Sequence, residues 1–569
     1  MIRLCNKTMH RSLVMLAALV TMLFVVSSCA SSTKTSLKSE NKEQANHGNV
    51  IVFTPSDGLV ITRNKPLSTW DILVPELIKS LKDKGFDDNS ITTKTSSSLS
   101  EQSRDVQDYV VNLLSSLNNA KQNNSGKHNS VSENSKIKKQ LSKTTIVIAP
   151  WTSKNGNNNY GDYATLPASN SENTQKSNTQ DLNLQNDDNS QSSKDELNAE
   201  KRLASSLRLA KKAGIHVVML SRNVSGFKPD VMFHLSDART IGEIQATTLI
   251  QKIALDRATK ENPRYIEVLL PCHNQKNINA NNNNQQNNSD EASEDDDSNN
   301  NTHANSETAF HDDFAKEAFA GIWKVLRPYF ASGTLISTSG RLNVNSSEKD
   351  WTNVAFDADV ADSVKNELTK RITKSTSLFS HSRHRVDGII ALDDQIALQA
   401  VQALNNLGYE GSAADINPSF NLPDVIGNFI GKRDLNKRPV PAPKDSAKKS
   451  EKELQQQQKK DEEEESEAKK WPVITGYGAY KNIMPNIVSG KQWMTTIENH
   501  KQIVQDLTAT CYSLNRNGKL DKKIATVQIK IEHGETVPTV NEQLVAVSAT
   551  NLKSRLIDPG YVSLADAGL

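Results

Sequence analysis

Short apolar segments alternate with amphipathic helical segments along most of this 569-residue chain, and this alternation restricts the fold more than any other feature. Each apolar run has the length of a strand, and the segments between the runs repeat apolar residues at helical spacing. That order is typical of a parallel sheet covered by helices on both faces, so we predict an α/β fold. The predicted strands are residues 49–53, 145–149, 216–220, 232–233, 265–270, 334–338, 388–392, 473–475 and 493–497.

Polar tracts interrupt this alternation. Only 36% of the chain is hydrophobic, and tracts rich in Asn, Gln, Ser, Asp and Lys cannot bury enough apolar surface to offset the entropy of ordering. Because they fall between predicted elements, where loops tolerate extra length, we predict that they are disordered inserts. The predicted inserts are residues 121–143, 153–195, 274–306 and 412–470, the last being a solvated linker or a charged single helix.

The charge balance of the chain is nearly neutral. Lys and Arg total 68 against 66 Asp and Glu, which gives a net charge of +2 and no general attraction for nucleic acid or for an anionic membrane. A basic run at residues 432–449 has no interleaved aromatic residues on which bases could stack. We therefore predict no nucleic-acid partner.

The first 29 residues resemble a bacterial lipoprotein signal peptide. Basic residues precede an apolar run at 13–26, which is shorter than the roughly 20 residues that a membrane-spanning helix requires. Small residues then lead to Cys29, which we predict to be lipidated; an ordinary signal anchor is the alternative. Residues 30–48 would then form a flexible tether, and the protein would be anchored on the extracytoplasmic face of the cell membrane.

The chain has four cysteines, and Cys5 would leave with the signal peptide. Only Cys272 and Cys511 would then remain besides the lipidated residue. Two distant cysteines make neither a metal site nor a disulfide framework. They could pair in an exported protein, but two separate buried thiols are the preferred interpretation.

The sequence contains no signature of a known enzyme class. It has no Gly-x-Ser-x-Gly turn, no phosphate-binding glycine-rich loop ending in Lys-Ser or Lys-Thr, and no His-Glu-x-x-His helix. His381 and His384 could hold a metal ion, but no third ligand lies nearby in sequence, so a solvated basic loop is favoured. We predict that the protein is not an enzyme and binds no metal and no cofactor.

The most informative stretch is the predicted strand 388–392 with the amphipathic helix that follows it. Asp393 and Asp394 come directly after the strand. In open α/β sheets ligands bind just beyond the carboxyl ends of the strands, so this pair falls where a pocket is expected. Asp is also a favoured residue at a helix N-cap, and for this unit alone capping is the simpler interpretation.

Several segments resemble the type I periplasmic sugar-binding proteins of ABC transporters, and within them the xylose-binding and multiple-sugar-binding group. They follow the order and spacing of that family once the inserts are removed. The segments are AKKAGIHVVMLSR (210–222), FHLSDARTIGEIQA (233–246), FAKEAFAGIWKVLRPYFASG (314–333), DGIIALDDQIALQAVQALNNLGY (387–409), PVITGYGAYKNIMPNIVSGKQWMTT (472–496) and a tail near 537–561.

The resemblance implies two Rossmann-like lobes with parallel sheets, joined by a hinge of three chain crossings. A sugar would bind in the cleft, the lobes would close around it, and an ABC permease would be the partner of a monomeric binding protein. The N-terminal lobe would comprise residues 49–232 and 477–497, and the C-terminal lobe residues 233–476 and 498–545. Residues 546–569 would form a tail that crosses the hinge.

The resemblance also implies a set of ligand-binding residues. Arg222 matches the family's cleft arginine, although Ser221 replaces the aspartate that normally precedes it. Asp237 matches the aspartate after the first crossing, but Ala238 replaces the expected asparagine. Asp394 matches the family's aspartate, whereas its neighbour Asp393 stands where asparagine is usual.

The remaining candidates depart further from the family pattern. Tyr477 stands in place of the final glutamine of a glutamine-aspartate pair. Trp151 and Trp351 occupy positions where the family often has an aromatic or polar cleft residue, and Asp57 lies in the turn after the first strand. Each lost polar partner would leave a sugar hydroxyl unpaired at a cost of about 1–3 kcal/mol, so the ligand could differ from the usual sugars.

Two functions are consistent with these observations. The first is a solute-binding lipoprotein that captures a sugar or a sugar-like ligand, such as an amino sugar or a polyol, and delivers it to a permease. The alternative is a degenerate binding protein that acts as a surface sensor or adhesion scaffold, with its inserts making the contacts.

Overall fold

The computed structural model describes residues 47–56, 65–123, 138–152, 160–166, 187–272, 312–377, 380–414, 466–531 and 534–569. The predicted signal peptide with Cys29, nearly all of the predicted tether, Asp57 and the predicted insert 274–306 lie outside these residues. Among the residues that are described, no helix is both long and apolar enough to cross a membrane.

The strands are short, and most are runs of buried apolar residues. Their bounds are β1 Asn49–Pro55, β2 Ile91–Ser96, β3 Thr144–Ile148, β4 Ala164–Thr165, β5 His216–Leu220, β6 Val231–His234, β7 Ser236–Asp237, β8 Arg264–Cys272, β9 Leu335–Ser337, β10 Ala355–Asp357, β11 Thr373–Ser377, β12 Ser380–Arg383, β13 Gly388–Ala391, β14 Val473–Thr475, β15 Met494–Glu498, β16 Val527–Lys530, β17 Thr536–Asn541 and β18 Leu544–Ser548.

Helices separate most of these strands. Their bounds are α1 Trp70–Asp83, α2 Leu99–Asn123, α3 Asp187–Ala213, α4 Ala238–Lys252, α5 Asp313–Ser332, α6 Ser363–Ile372, α7 Asp394–Asn406, α8 Met484–Ser489 and α9 His500–Asn517. Most of the strands and helices predicted from periodicity are therefore present, with ends shifted by a few residues. His381 lies in β12 of the β11–β12 hairpin and not in the loop that the sequence favoured.

The first lobe is built on a seven-stranded sheet in the order β16-β17-β6-β5-β3-β1-β2. Every pairing is parallel except β16 with β17. Side chains of a strand alternate between the two faces, so Val50 and Val52 of β1 pack with α1 and α9, while Ile51 and Phe53 pack with α2 and α3. Burial on both faces explains why these strands are continuous apolar runs.

The second lobe is built on a parallel five-stranded sheet, β10-β8-β13-β14 with β9 also paired to β8. Helices α4 and α5 cover one face and α6 and α7 the other. Glycines let α4 and α5 approach closely, because a Cβ at Gly242 would lie 2.0 Å from the carbonyl oxygen of Ala318. The predicted α/β fold with two parallel-sheet lobes is confirmed.

Within the described residues, the chain passes between the two sheets three times. The first crossing runs from β6 through β7 and α4 to β8, the second from β14 through β15 to α9, and the third from β17 into β18. Strands β15 and β18 pair with each other in antiparallel fashion, so the second and third crossings lie side by side. This is the three-crossing hinge that the resemblance implied.

The lobe assignment of two C-terminal segments was wrong. The resemblance places residues 498–545 in the second lobe, but α9 packs against α1 and β17 pairs with β6, so they belong to the first. It places residues 477–497 in the first lobe, but Tyr477 lies in the core of the second sheet and β15 lies in the hinge. Apolar periodicity predicts that a helix or strand exists, but it does not specify which of two sheets it joins.

Three of the predicted inserts contain ordered structure. In 412–470, residues 466–468 form a helical turn and Lys470 forms a β-bridge with Glu410. In 153–195, residues 160–166 are packed, with Tyr160 3% and Tyr163 0% exposed, and α3 begins at Asp187. In 121–143, α2 continues to Asn123, and a helical turn from residue 138 leads into β3. The average amino-acid composition of these tracts does not reveal their ordered parts, because two tyrosines in an Asn-rich tract are enough to anchor a short segment in a core.

Cys272 and Cys511 are separate, fully buried thiols that lie in different hydrophobic clusters. The preferred interpretation of this pair is confirmed. Burial raises the pKa of the Cys511 thiol to about 12, so it stays protonated at neutral pH.

Candidate ligand-binding site

The carboxyl edge of the second sheet is the first half of the candidate site. Strand β13 leads into Asp393, and β14 leads into Tyr477. Helix α5 follows β8 and starts at this same edge with Phe314 near its first turn. Ligands of open α/β sheets bind at this edge, beyond the strand ends.

Asp393 is the N-cap of α7. Its Oδ1 accepts hydrogen bonds from the backbone N–H groups of Gln395 at 2.8 Å and Ile396 at 2.9 Å. The residue is fully buried. The capping interpretation is therefore confirmed, and a role of this carboxylate in ligand binding stays a prediction.

Asp394 faces the second crossing. Its Oδ1 accepts a hydrogen bond from Nε2 of Gln492 at 2.6 Å, and its Oδ2 accepts bonds from Oγ1 of Thr495 at 2.7 Å and the backbone N–H of Tyr480 at 3.3 Å. Burial raises the pKa of Asp394 to about 7 against the opposing effect of these donors. A Cβ at Gly476 would lie 2.2 Å from Oδ1, so glycine is required for this approach. This carboxyl group thus ties α7 to the hinge.

Tyr477 and Glu498 form the centre of a second buried group of hydrogen bonds. The phenol of Tyr477 donates to Oε1 of Glu498 at 2.6 Å, Ser236 donates to the same oxygen at 2.5 Å, and Ser68 donates to Oε2. Burial and the negative charge of Glu498 raise the pKa of Tyr477 far above its usual value, so the phenol remains a donor.

This one carboxylate connects distant parts of the chain. Ser68 precedes α1 of the first lobe, Ser236 lies on the first crossing, Glu498 ends β15 on the second crossing, and Tyr477 follows β14 of the second sheet. Sequence reasoning missed Glu498, because a single acidic residue at the end of an apolar strand also suits a strand end facing solvent. All residues of β15 are buried.

The carboxyl edge of the first sheet carries Trp151 after β3 and Arg222 after β5. A guanidinium N–H of Arg222 donates to the carbonyl oxygen of Trp151. Burial lowers the pKa of Arg222 to about 10 against the attraction of Glu200 and Glu196, so it stays charged at neutral pH. Its Nε is buried and has no hydrogen-bond partner among the described residues.

A strained turn sets the position of Arg222. Ser221 has a φ of 64°, and the N–H of Arg222 donates to the carbonyl of Leu220 at 2.8 Å, as in a γ-turn. Left-handed backbone at a non-glycine residue is uncommon and often occurs near functional sites.

Asp237 lies on the first crossing and caps α4. Its carboxylate accepts hydrogen bonds from the backbone N–H of Thr240 at 2.7 Å and from Nε2 of His234 at 2.8 Å. Burial acts to raise the pKa of Asp237, but the bonds from His234 and Thr240 outweigh it and hold the pKa below its usual value. The carboxylate of Asp237 is thus engaged within the protein.

Tyr160 fills the carboxyl edge of the second sheet. Its ring stacks on Phe314 with 4.2 Å between ring centroids and lies 6.1 Å from the ring of Tyr477. Burial raises the pKa of Tyr160 far above its usual value, and the nearby carboxylates of Asp393 and Asp312 add to that effect. The predicted cleft residues Trp351 and Tyr477 belong to the same hydrophobic cluster as Tyr160.

The residues after Tyr160 are anchored to the first lobe. The N–H of Asp162 donates to the carbonyl of Ser68 at 2.7 Å, and its carboxylate accepts from the N–H of Trp70 at 3.1 Å. Tyr163 donates to the carbonyl of Thr69, and its ring lies 4.7 Å from that of Trp70. These acceptors and donors surround the first turn of α1, which follows β1 at the carboxyl edge of the first sheet.

The same segment also pairs with the first crossing. Strand β4 lies parallel to β7, with Ala164 opposite Ser236 and Thr165 opposite Asp237. Residues 160–166 therefore contact the first lobe, the hinge and the second lobe at once. We call them the 160–166 segment.

Five of the eight predicted site residues fall into two groups. Asp393, Asp394 and Tyr477 lie together at the second sheet, where the backbone N–H of Asp394 donates to the carbonyl of Tyr477 at 3.0 Å. Arg222 and Trp151 contact each other at the first sheet. In the described part of the chain, no three His, Cys, Asp or Glu residues are placed to hold a metal ion.

A polar cavity of about 500 Å³ lies elsewhere on the second lobe. Its lining includes Ser337, Thr338, Arg341, Lys370 and His384, and none of the predicted ligand-binding residues. We place the candidate site at the sheet edges and not in this cavity, because Arg341 and Arg371 beside it are already paired with Glu367.

No protein-family model matches the sequence, and no curated protein matches it. Several solved structures are similar to it. One is an ABC transporter solute-binding protein from Clostridium phytofermentans with bound β-D-glucose, with 16% identity, 91% of this chain and 99% of that chain covered, and a TM-score of 0.42. Another is a carbohydrate transporter solute-binding protein from Chloroflexus aurantiacus in complex with D-glucose, with 15% identity, 91% and 97% covered, and a TM-score of 0.40.

A third is the Caulobacter myo-inositol binding protein bound to myo-inositol, with 12% identity, 90% of this chain and 96% of that chain covered, and a TM-score of 0.35. Since the identities and TM-scores are this low, the fold is assigned from the sheet order and the three crossings.

Proposed function

We propose that this protein is a lipid-anchored, extracytoplasmic solute-binding protein of an ABC transporter. It captures a sugar or a sugar-like molecule between its two lobes and delivers it to the permease. Its work is binding and not catalysis, and a monomer suffices because both halves of the site come from one chain. The lipoprotein-like N-terminus and the two-lobed fold with three crossings support this proposal.

The observation that carries the proposal is that one short segment contacts both lobes at their carboxyl edges. Tyr160 stacks on Phe314 of the second lobe, and Asp162 is bonded to Ser68 and Trp70 of the first. The segment therefore bridges the two lobes at the edges where a captured ligand would have to contact both. A ligand that contacts both lobes stabilises the closed arrangement over the open one, which is the basis of capture.

The chemistry of the two edges supports a polar, ring-shaped ligand. Arg222 supplies a charged donor, and Asp393 supplies an acceptor for hydroxyl groups. Aromatic rings such as Phe314, Tyr477 and Trp151 can lie against the apolar face of a sugar ring. A few placed polar groups in a largely apolar pocket are the usual composition of a small-molecule site.

Thermal unfolding with a panel of monosaccharides, oligosaccharides, amino sugars and polyols tests the proposal. A ligand bound by the folded state raises the melting temperature, since binding at 100 times Kd stabilises by about 2.7 kcal/mol. Asp393→Asn is the matched variant, because asparagine keeps the N-cap of α7 and loses the charge. The shift should shrink in this variant without a change in the unliganded melting temperature.

Absence of any shift at millimolar concentration, in the wild type and in Tyr160→Ala, would overturn ligand capture. The second variant is included because Tyr160 occupies the space that a ligand would need. Transport can be tested separately: adjacent reading frames encoding an ABC permease and ATPase are expected, and uptake of the ligand should fail when this gene is deleted.

A second candidate is a degenerate binding protein that serves as a surface sensor or scaffold. Two observations favour it: Tyr160 fills the second-sheet edge, and the carboxylate of Asp394 is already bonded to Gln492, Thr495 and Tyr480. Deletion of residues 274–306 should then abolish binding to a host or cell-surface partner while the fold persists. If that deletion has no effect and a sugar binds, this candidate is rejected.

A further inference from the structure

We propose that the 160–166 segment is an intramolecular latch, which holds the two lobes closed when no ligand is present. The inference concerns the unliganded protein, so it can fail or succeed independently of the proposed ligand. Its basis is that the segment contacts the first lobe through the hydrogen bonds of Asp162 and the ring of Tyr163, and the second lobe through the ring of Tyr160.

On the first lobe the attachment combines directional hydrogen bonds with the contact of the Tyr163 ring on Trp70. Asp162 both donates to the carbonyl of Ser68 and accepts from the N–H of Trp70, so it satisfies a backbone donor at the start of α1. A negative charge is also favourable at a helix N-terminus. Gly161 has a φ of 75°, and a Cβ there would lie 2.5 Å from the carbonyl oxygen of Ser68, so the segment sits directly on this turn.

On the second lobe the attachment is apolar. The Tyr160 ring is 3% exposed and stacks on Phe314 at an interplanar angle of 29°. Ala164 and Leu166 pack against the same cluster of the second sheet. Opening the lobes would expose Tyr160 and Phe314 to water, and burial of aromatic rings of this size dominates the energetics of most interfaces.

Covalent attachment makes these contacts effective as a latch. A separate ligand must lose translational freedom to bridge the lobes, whereas a tethered segment binds at a high effective concentration. The closed arrangement is therefore favoured at any protein concentration and without solute. A solute that enters the second-sheet edge must displace Tyr160 from Phe314.

The alternative explanation is that the segment is ordinary hydrophobic core, whose loss lowers stability without changing the arrangement of the lobes.

A measurement of the distance between the lobes distinguishes the latch from this alternative. Thr95 lies on edge strand β2 near the carboxyl end of the first sheet, and Val360, 55% exposed, follows edge strand β10 of the second. Spin labels on Thr95→Cys and Val360→Cys in the full-length chain report lobe separation by pulsed electron paramagnetic resonance. Cys5 and Cys29 are replaced by Ser in every sample, and Cys272 and Cys511 are buried from the label. Protein without the two introduced cysteines gives the background.

Without ligand, the labelled protein should give one short distance, and Tyr160→Ala should add a population at longer distance. Asp162→Ala removes the carboxylate bond to the N–H of Trp70 and keeps the backbone bond to Ser68. By weakening the attachment to the first lobe it should add the same population to a smaller extent, and it is the test variant if Tyr160→Ala folds poorly. Tyr409→Ala is the matched control: Tyr409 is 3% exposed within the second lobe only, so this variant should melt lower but keep the short distance.

Unchanged distances in folded Tyr160→Ala and Asp162→Ala protein would overturn the latch and leave the segment as core. A long-distance population in Tyr409→Ala would overturn it equally, because opening would then follow from lost stability alone.

Discussion

The phenolic hydroxyl of Tyr477 donates a hydrogen bond to the carboxylate of Glu498 over 2.6 Å, although one residue follows the second sheet and the other ends a hinge strand. Ser236 and Ser68 donate to the same carboxylate, so its partners come from both lobes and the first crossing. A buried carboxylate is tolerated only where such donors replace water. The position of the lobes is thereby coupled to one side chain.

Tyr477→Phe should destabilise the protein by about 1.5–3 kcal/mol, the range for a hydrogen bond to a charged group. The phenylalanine fills the same space, so packing is preserved and the loss reports the bond. Tyr409→Phe is the control, because the hydroxyl of Tyr409 donates to the neutral carbonyl of His384 at 2.8 Å and its loss should cost about 0.5–1.5 kcal/mol. Urea unfolding monitored by circular dichroism measures both; equal losses would show that the bond to Glu498 contributes no more than a bond to a neutral carbonyl.

His500 should make the protein less stable as the pH falls from about 6.5 to 4. Burial between the rings of Tyr163 and Tyr561 lowers the pKa of its imidazole to about 4, and neither ring nitrogen has a hydrogen-bond partner among the described residues. The unfolded chain, with a pKa near 6.5, binds the proton first, so stability is complete above that pH and is lost below it.

The effect is isolated by His500→Phe, which keeps an aromatic ring. The free energy of unfolding of this variant relative to wild type should rise by up to about 3 kcal/mol between pH 7 and pH 4. Urea titrations at several pH values measure the difference. A constant difference across this range would show that the imidazole is accessible to protons in the folded state.

Much of the fold was predictable because its strands are buried on both faces. Residues such as Val217 and Val218 of β5 are both buried, so the strand is a continuous apolar run that stands out from its surroundings. The cap at Asp393 was predictable too, since it depends only on local sequence. Local patterns of this kind do not depend on which parts of the chain meet.

The rest depends on long-range contacts that carry no local pattern. Tyr160 meets Phe314 across more than 150 positions of sequence, from within a tract whose average composition indicates a loop. Helix α9 is amphipathic in either lobe, and only its packing against α1 assigns it to the first. Glu498 looks like a solvent-facing strand end until Ser68, Ser236 and Tyr477 are brought to it.

Asp394 should change the free energy of unfolding with pH in the direction opposite to His500. Burial raises its pKa to about 7, above the value near 3.9 of the unfolded chain, so the folded state binds the proton more tightly between these values. Its contribution is therefore fully present below about pH 4 and is lost as the pH rises through 7. Asp394→Asn keeps the size of the side chain but cannot titrate. It should reduce the loss of unfolding free energy between pH 4 and pH 8 by up to about 4 kcal/mol. Unfolding free energies of the variant and wild type at pH 4 and pH 8 test it, and parallel curves would contradict the raised pKa.

Tyr160→Ala should strengthen ligand binding if the 160–166 segment competes with the ligand for the second-sheet edge. The apparent Kd of a protein that is competent only part of the time is the intrinsic Kd divided by the competent fraction, so removing the competitor lowers it. We expect a decrease of roughly tenfold, equivalent to about 1.4 kcal/mol. Isothermal titration calorimetry with the sugar or polyol that gives the largest thermal shift measures the change. Tyr409→Ala, which perturbs only the second-lobe core, should bind as the wild type does. Weaker binding by Tyr160→Ala would instead make Tyr160 part of the ligand site, because its ring would then contact the ligand and not exclude it.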